Sequence, residues 1–489
     1  MFKKIKIQLV LVLFTCTLIC SCLEDQGNYN YTGINQIEVA GLEEIYSVVR
    51  FDEFNIVPEL VSSQDQNEEN TYSYKWQAYQ PADTGENRLV DLSFEKDLKT
   101  TINLIPGDYT IYYTVKDLNT EVEFQHSFQL NVVNNIYEGW LVLSDVNGVG
   151  RLDMVSLIEN EYRTAYDILN VVGSELTLTG TPKFVYTYPF ESNFYGIYVS
   201  TTGNGTVKLE PNTFTWNSSF NISEEFVTNQ PEDLEVDNIV AKASQMSYAV
   251  KDGNVYYYFS VFSYKYSAPI NSINGVLFEA SPFIGKGTYF GNSILYDNTN
   301  KRFIRTNFGS SRVMPTGTRF NYTTGKDLEY MVGNNFNSSA GAQIFAVLKD
   351  PIDSKKYLAL FNATNSSQSY YAEVVAPDFD QATSYAVSPN YGYLFYAVGG
   401  KVYQYDYSLK TTKLMVDKGS DEITMIKFND FFYSNSDYDE LGFQLIVCSY
   451  DGSEGTMELY DVPPVNGQIE LKTSYSGFGK IKSVAYRER

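Results

Sequence analysis

The sequence predicts an all-β protein in which an immunoglobulin-like sandwich is followed by a β-propeller of about seven blades. Helical periodicity is nearly absent, and short runs rich in Tyr, Val, Ile, Phe and Thr alternate with clusters of Gly, Asn, Asp and Ser. Aromatic residues make up 16% of the chain, with 42 tyrosines and 31 phenylalanines, and both types favour strands. A chain of 489 residues is too long for one small core, which indicates at least two domains.

Residues 1–21 have the features of a bacterial lipoprotein signal peptide. Three lysines precede an apolar run from Ile7 to Ile19, and the small residue Ser21 precedes Cys22. The apolar run is too short to span a bilayer comfortably. We therefore expect cleavage before Cys22, acylation of its thiol, and a lipid-held tether over residues 22–33. An ordinary secretory peptide with an incidental cysteine is the alternative.

Residues 34–135 are predicted to form the sandwich. In the run from Tyr72 to Gln80 the two-residue period of a strand places Tyr72, Tyr74, Trp76 and Ala78 on one face. Trp76 is the expected centre of the core, in a sandwich without a disulfide. The candidate strands are, in order, Gln36–Ala40, Phe54–Leu60, Tyr72–Gln80, Thr100–Leu104, Tyr109–Asp117 and Glu121–Val133.

Residues 136–489 have a length that suits seven four-stranded blades. Hairpin-like pairs recur along this region, and turns such as Asp252-Gly253 and Asp451-Gly452 supply positive φ at low cost. The predicted pairs are Trp140–Ser144 with Arg151–Ser156, Phe184–Tyr188 with Tyr195–Ser200, Gln245–Val250 with Val255–Val261, Ile344–Leu348 with Lys356–Phe361, Tyr385–Ser388 with Tyr393–Val398 and Lys401–Tyr407, and Gln444–Tyr450 with Thr456–Val462.

The apolar segment that ends at Tyr486 is expected to complete the first blade. A ring closed in this way removes exposed strand edges. A stack of further sandwiches is the alternative. Against it stand the absence of Pro/Ser-rich linkers after residue 135 and the lack of a second strand like the one around Trp76.

Residues 22–135 resemble the PKD-like domain of Bacteroidota lipoproteins. The resemblance rests on the start at Cys22, on the Tyr74-Lys75-Trp76 strand and on the strand from Gly107 to Asp117. The next segments, Tyr137–Ser144 and Gly150–Val155, look like the opening of the second domain of the same lipoproteins.

Leu23-Glu24-Asp25 is similar to the acidic tag that sends such lipoproteins to the cell surface. These lipoproteins are often encoded beside SusC/SusD-type nutrient importers. The resemblance therefore implies a lipid-anchored accessory or capture subunit on the outer membrane. Its partners would be the transporter and sibling surface lipoproteins, and its ligand would be a glycan or a peptide.

The charge argues against nucleic-acid binding, and the number of cysteines argues against a disulfide. The formal charge of −23 becomes −26 when the signal removes Lys3, Lys4 and Lys6, and such a surface repels nucleic acids. After cleavage only Cys22 and Cys448 remain, so no disulfide is expected within the chain. Cys448 stands in an apolar run and is predicted to be a buried small hydrophobe.

No catalytic residue is predicted. His126 is the only histidine and falls in a sandwich strand, which excludes a Ser-His-Asp triad or a histidine-rich zinc site in the propeller. Pairs among the 59 acidic residues remain open, because a sequence does not give the separation that glycosidases need. The favoured interpretation is a non-enzymatic protein. A propeller glycosidase or lyase using Asp or Glu is the alternative.

Two motifs are candidate sites. The first motif has oxygen ligands near glycines, at Asp145, Asn147 and Asp153. It predicts either a structural Ca²⁺ loop or a plain hairpin, and the hairpin is the favoured interpretation. No other cofactor is expected. Tyr264, Tyr266 and Trp216 have polar neighbours and are the candidate residues for stacking on a ligand.

Overall fold

The computed structural model describes residues 33–489 except 66–70, 81–87, 134–135, 159, 189–195, 264, 337–340 and 434–435. Cys22, the predicted tether and the acidic tag lie outside the described residues. The chain forms two compact units, one extending to Val48 and over Asp52–Val132, the other comprising Val49–Phe51 and Val133–Arg489.

Strands dominate both units, which confirms the all-β prediction. The described helices are α1 (Ile168–Val171) and α2 (Ser436–Gly442), with short 3-10 turns at Ser218–Phe220, Ile222–Glu225 and Phe379–Gln381. No helix in the described ranges has both the length and the apolar character needed to cross a bilayer.

The first unit contains one antiparallel sheet of five strands in the order β2-β9-β8-β5-β6, and two small sheets, β1-β4 and β3-β7. The strands are β1 (Ile37–Ala40), β2 (Ile45–Val49), β3 (Glu53–Ile56), β4 (Glu59–Ser62), β5 (Tyr72–Gln80), β6 (Arg88–Ser93), β7 (Leu98–Thr101), β8 (Gly107–Asp117) and β9 (Glu123–Val133). The predicted strand Phe54–Leu60 is in fact two strands. Pro58 lies between them, and proline lacks the N–H that a ladder needs.

Trp76 lies at the centre of the first unit's core, as predicted. Its side chain is fully buried, its ring stacks on Tyr113 with centroids 4.0 Å apart, and its Nε1 donates to the carbonyl oxygen of Glu95 at 3.0 Å. On β8 buried side chains alternate with half-exposed ones, which is the two-residue period of a half-buried strand. Strands β1, β3 and β7 contribute to the same core through Ile37, Phe54 and Leu98.

The described residues of the second unit form seven antiparallel sheets of three or four strands, which we number in chain order; sheet 1 also includes the last strand of the chain. Sheet 1 is β12-β11-β10-β36, sheet 2 is β13–β15, sheet 3 is β16–β18, sheet 4 is β21–β23, sheet 5 is β24–β27, sheet 6 is β28–β31 and sheet 7 is β32–β35. A small hairpin, β19–β20, lies between sheets 3 and 4 in the chain.

The strands of sheets 1 to 4 and of the small hairpin are β10 (Gly139–Val146), β11 (Val149–Ile158), β12 (Glu161–Ala165), β13 (Pro182–Tyr188), β14 (Gly196–Thr201), β15 (Gly205–Leu209), β16 (Asn238–Ala243), β17 (Met246–Lys251), β18 (Asn254–Phe259), β19 (Ser272–Ile273), β20 (Val276–Leu277), β21 (Ser293–Asp297), β22 (Arg302–Asn307) and β23 (Ser310–Val313). Those of sheets 5 to 7, with the closing strand, are β24 (Asp327–Asn334), β25 (Gln343–Lys349), β26 (Lys356–Asn362), β27 (Gln368–Glu373), β28 (Ser384–Val387), β29 (Leu394–Val398), β30 (Lys401–Asp406), β31 (Thr411–Asp417), β32 (Glu422–Lys427), β33 (Leu445–Tyr450), β34 (Gly455–Asp461), β35 (Glu470–Phe478) and β36 (Lys480–Arg487).

Each sheet of the second unit packs on the sheet before it and the sheet after it. Among the described residues, every pair of consecutive sheets shares one buried apolar cluster, and sheet 7 shares another with sheet 1. The middle strands are therefore buried on both faces and read as continuous apolar runs. In β10, for example, Leu141 and Leu143 belong to the cluster with sheet 2, whereas Trp140 and Val142 belong to the cluster with sheet 7.

The chain ends by pairing with the start of the second unit. Strand β36 is antiparallel to β10, with Tyr486 opposite Trp140 and Val484 opposite Val142. The predicted completion of sheet 1 by the terminal strand is thus observed. The predicted hairpin pairs also occur as antiparallel strand pairs, apart from Tyr195, which lies outside the described residues. Sheet 4 was not predicted.

Candidate functional site

The motif with Asp145, Asn147 and Asp153 forms a hairpin. Asn147 and Gly148 form its two-residue turn with φ of 56° and 85°, and the Oδ1 of Asp145 accepts from the N–H of Gly148 at 2.7 Å. Asp145 on β10 lies opposite Gly150 on β11, and Gly150 is three positions before Asp153 on that strand. Side chains three positions apart on a strand point to opposite faces, so the carboxylates of Asp145 and Asp153 lie on opposite faces of the sheet.

Asp153 already has partners of its own. It is fully buried and accepts from Arg151 through both carboxylate oxygens, at 2.8 Å from Nε and 2.9 Å from Nη2. It also accepts from the N–H of Asp167 at 2.7 Å. Burial raises the pKa of Asp153, although these bonds favour the charged form. Within the described ranges, no group of three or more His, Cys, Asp or Glu side chains is arranged to hold a metal.

Of the three predicted stacking residues, the structure describes Tyr266 and Trp216. Tyr266 is 1% exposed, and its ring lies in the core between Phe226 and Tyr258, with centroids at 5.1 and 5.6 Å. Its hydroxyl shares a 2.9 Å hydrogen bond with Ser247, so the prediction that it contacts a ligand is wrong. Trp216 is half-buried against the core of sheets 1 and 2, and its Nε1 donates to Asn221 at 3.1 Å. Tyr264 lies outside the described residues.

Cys448 is fully buried between sheets 7 and 1, as predicted. Burial raises the pKa of its thiol, so the group does not form a nucleophilic thiolate at neutral pH. His126 lies half-buried on β9 in the first unit.

A cavity of about 260 Å³ lies where strands of several sheets meet. It is lined from β13, β16, β24, β32 and β36, and most of its wall is apolar. A second cavity of about 190 Å³ adjoins it, because Tyr330, Val332, Lys427 and Asp430 line both. We call the two together the axial cavity.

The charged groups that line the axial cavity among the described residues are two lysines and two aspartates. The Nζ of Lys427 donates to the carbonyl oxygen of Val484 at 2.8 Å, and burial lowers the pKa of Lys427 to about 8 against the opposing effect of Asp430. Lys286 forms an ion pair with Asp430 at 2.7 Å. Among the described residues, the carboxylates that line this cavity are Asp430 and Asp439.

Glu488 is a buried carboxyl group near this cavity but not in its lining. It is 1% exposed and accepts from the backbone N–H groups of Phe432 and Tyr433 at 2.9 and 2.7 Å. Burial raises the pKa of Glu488 to about 7 despite these bonds, and Asp430 and Glu138 add to the effect. Because the group is sealed by protein, a ligand in the cavity does not reach it directly.

An exposed aromatic surface lies where sheets 3 and 4 adjoin. Phe262 and Phe290 are each 72% exposed, Phe308 is 42% exposed and Tyr289 is 36% exposed. We call these four residues the aromatic patch. The buried Phe259, at the end of β18, contacts Phe262, Phe308 and Tyr289, with centroids at 4.9, 5.9 and 6.4 Å.

The backbone holds the aromatic patch in place. Phe308 and Gly309 form the two-residue turn between β22 and β23, with φ of 45° and 75°. A bulky residue is unusual at positive φ, where Asn or Gly is preferred, so the turn keeps Phe308 at a conformational cost. The loop with Tyr289 and Phe290 is fixed from two sides. The hydroxyl of Tyr289 donates to Gln245 at 3.1 Å, and Asn307 donates to the carbonyl oxygen of Phe290 at 3.2 Å.

The first unit is similar in sequence to a known protein family. Residues 22–182 match the model of the PKD-like family, a span that runs through the first unit from Cys22, includes β10 to β12 of sheet 1 and ends at the first residue of β13. No curated protein matches the chain.

Several solved structures are similar to the chain at low identity. A quinoprotein alcohol dehydrogenase-like protein from Bacteroides thetaiotaomicron is 11% identical, with a TM-score of 0.48 over 91% of this chain and 96% of that one. A putative 6-phosphogluconolactonase from Bacteroides fragilis is 9% identical, with a TM-score of 0.39 over 72% and 98%. A DUF4784 family protein from Bacteroides caccae is 8% identical, with a TM-score of 0.31 over 92% and 98%. Resemblances this distant say nothing about activity.

Proposed function

We propose that this protein is a lipid-anchored binding protein on the outer surface of an outer membrane, and that it captures a ligand without chemically changing it. The signal-like segment ending at Cys22 supports the anchor, as does the family match, which begins at the same residue. The Leu23-Glu24-Asp25 segment, similar to a surface-export tag, supports display outside the cell.

The second unit is proposed to be a seven-bladed β-propeller. Seven sheets follow one another in the chain, and each shares an apolar cluster with the next. Sheet 7 packs on sheet 1, and β36 supplies the strand that joins the end of the chain to its beginning. This order of contacts supports a ring, in which no sheet has to leave an apolar face exposed.

The aromatic patch is the observation that carries the binding function. Contiguous exposed apolar surface is uncommon on a soluble protein and marks a site of interaction. Aromatic rings provide a large, rigid contact area at low cost in conformational entropy. Phe308 is kept at this surface in a backbone conformation that a polar turn residue would adopt more easily, which favours a role for its ring outside the core.

The same protein is proposed to act beside a SusC/SusD-type importer and sibling surface lipoproteins. The resemblance of the first unit to PKD-like lipoproteins supports this partner. Affinity purification from detergent-solubilised outer membranes, with Cys22→Ser as the unanchored control, tests it. Recovery of a transporter with the wild type and not with the control is the expected result, and a wild-type preparation free of any transporter would contradict it.

Binding is tested with purified protein lacking residues 1–22. We expect a glycan array and calorimetry to detect a ligand whose affinity falls at least tenfold in Phe290→Ala and in Phe308→Ala. Phe94→Ala is the matched control, because Phe94 is 63% exposed but lies in the first unit. If all variants bound the ligand with equal affinity, the aromatic patch would not be the binding site.

A carboxylate-dependent glycosidase or lyase is the second candidate function. It is favoured by one observation, namely that Asp430 lines the axial cavity and contributes to raising the pKa of Glu488 to about 7. Against it, Asp430 is paired with Lys286 and Glu488 is sealed. Turnover of a glycan or polyuronate substrate that is lost in both Asp430→Asn and Glu488→Gln would replace the binding function by this one.

A further inference from the structure

A surface pocket of about 280 Å³ adjoins the aromatic patch. It is lined by Asn292, Arg305, Asn307, Phe308, Ser310 and Arg312. Phe308 therefore belongs to both the pocket and the patch. The volume is just below the range of pockets that hold drug-sized ligands, which suits one ring of a longer molecule.

Two arginines lie side by side in the lining of this pocket, which contains no carboxylate. Arg305 on β22 is the cross-strand partner of Arg312 on β23. Like charges directly opposite one another destabilise a sheet. None of the ion pairs found among the described residues includes either arginine.

This arrangement is unexpected in so acidic a chain. The protein has 59 acidic and 36 basic residues, so carboxylates are plentiful as partners for surface cations. The other arginine on β22, Arg302, does have one, since its Nε contacts Asp297 at 2.8 Å. Two adjacent arginines left without acidic partners therefore point to an anion that comes from outside the chain.

Polar atoms at the same place are buried without partners. The Nε of Arg305 and the Oδ1 of Asn307 are sealed from solvent and form no hydrogen bond. A buried donor left unpaired is destabilising.

The topology of sheet 4 keeps the pocket accessible. Sheets 1, 5, 6 and 7 each have a fourth strand, but in the described chain sheet 4 ends at β23, so Arg312 lies on its outermost strand. The positive charge is reinforced by Lys242, whose Nζ lies 5.9 Å from the centre of the Phe308 ring and donates to the carbonyl oxygen of Gly291 at 2.6 Å.

We propose that Arg305 and Arg312 bind the carboxylate or sulfate group of an acidic saccharide, whose neighbouring ring stacks on Phe308 and Phe290. The inference rests on the proposed binding function and names the ligand class for it. The planar guanidinium group matches an oxyanion through two parallel hydrogen bonds. The phenyl faces offer an apolar surface to a sugar ring, and the side chains of Asn292 and Asn307 line the pocket within reach of hydroxyl groups.

Calorimetry with three defined probes tests the proposal on the protein lacking residues 1–22. The probes are a tetragalacturonate for the carboxylate, a carrageenan tetrasaccharide for the sulfate, and the methyl-esterified tetragalacturonate as the neutral match. We expect at least one acidic probe to bind, to bind at least tenfold more tightly than the neutral ester, and to weaken as salt is raised. Whichever acidic probe binds identifies the anion.

Variants separate this inference from the broader binding function. Arg305→Gln and Arg312→Gln are each expected to lower affinity for the acidic probe at least tenfold, whereas Arg163→Gln, at an exposed arginine of sheet 1, leaves it unchanged. Thermal unfolding controls for folding, and removal of either like charge is expected to leave the Tm unchanged or raise it. Neutral glycan binding that depends on Phe290 but not on the arginines would overturn the anion site and leave the binding function standing.

Two other outcomes would also overturn the proposal. One is binding of neither acidic probe at millimolar concentration by a protein that unfolds cooperatively. The other is preferential binding of a peptide with a free carboxylate terminus over every saccharide probe, because the ligand would then belong to another class.

Discussion

Trp140, on the first strand of the second unit, lies directly opposite Tyr486, on the last strand of the chain, and their rings meet edge to face with centroids 4.8 Å apart. Both side chains are buried between sheets 7 and 1. The hydroxyl of Tyr486 donates to Glu138 at 2.9 Å and lies 3.1 Å from the hydroxyl of Tyr162. The contact that joins the two ends of the second unit is therefore both apolar and hydrogen-bonded.

Tyr486→Ala is expected to destabilise the second unit by about 3–5 kcal/mol, because it opens a cavity where β36 packs on the ring of Trp140. Tyr486→Phe keeps the packing and removes the hydroxyl, so its expected cost is about 1–2 kcal/mol. Urea unfolding followed by circular dichroism measures both. Leu471→Ala, at a side chain 51% exposed on β35, is the control and should cost less than about 1 kcal/mol. An unchanged transition in Tyr486→Ala would show that the terminal strand does not contribute to stability.

Strand pairs with glycine turns were predictable because local signals agree there. The Asp252-Gly253 turn has φ of 49° and 71° and joins β17 to β18, which pair as predicted. Sheet 4 was missed because β22 includes two arginines and an asparagine, and the loop between Asp297 and Arg302 has no glycine. The number of sheets and the packing of sheet 7 on sheet 1 depend on contacts between distant segments, which no local pattern contains.

The candidate site was less predictable than the fold. Tyr266 has polar neighbours, and they suggested a surface residue, but in an irregular segment the sequence does not show which side chain turns inward. The aromatic patch combines Phe262, Phe290 and Phe308 from three separate loops, each of which carries too few aromatic residues to be conspicuous alone. The Phe308-Gly309 dipeptide at a hairpin turn was the one local signal that pointed to it.

The stability of the second unit should fall with rising pH because of Glu488. Its pKa is about 7 in the folded protein and 4.5 ordinarily, so the folded state holds this proton more tightly than the unfolded state does. The stabilisation that protonated Glu488 provides is therefore fully present below pH 4.5 and is lost as the pH rises through about 7. The free energy of unfolding falls by about 3 kcal/mol over this range. Urea unfolding between pH 4.5 and 8 measures the loss.

Glu488→Gln isolates this contribution from that of other titrating groups. The amide oxygen still accepts from the N–H groups of Phe432 and Tyr433, but the side chain cannot ionise. We expect the variant to be more stable than the wild type at pH 8 and to show a weaker dependence on pH. Lys242 and Lys427, whose pKa values are lowered to about 8, change stability mainly above that pH. Parallel pH profiles for the two proteins would exclude Glu488 as the cause.

Asp153→Ala and Asp145→Ala should have unequal effects, because the two carboxylates have different partners. Loss of Asp153 leaves Arg151 without its buried partner and is expected to cost about 3 kcal/mol. Loss of Asp145 removes one acceptor at an exposed turn and should cost about 1 kcal/mol. Neither the wild type nor the variants should change Tm between EDTA and millimolar Ca²⁺. A calcium-dependent rise in Tm that both substitutions abolish would reinstate the calcium loop.

Cys448 is expected to be inert in the folded protein. Its side chain is fully buried between sheets 7 and 1, and burial raises its pKa, so both access and the thiolate form are lacking. In protein lacking residues 1–22 it is the sole thiol, which makes its modification by Ellman's reagent a direct report on the opening of this interface. We expect no reaction over minutes in buffer and complete reaction in guanidinium chloride. Ser453→Cys, in the exposed turn between β33 and β34, is the positive control and should react at once.

Because the interface between sheets 7 and 1 also carries the contact between Trp140 and Tyr486, labelling of Cys448 should accelerate in Tyr486→Ala more than in Leu471→Ala. Equal labelling rates in these two variants would show that the thiol becomes exposed by a route other than separation of sheet 7 from sheet 1.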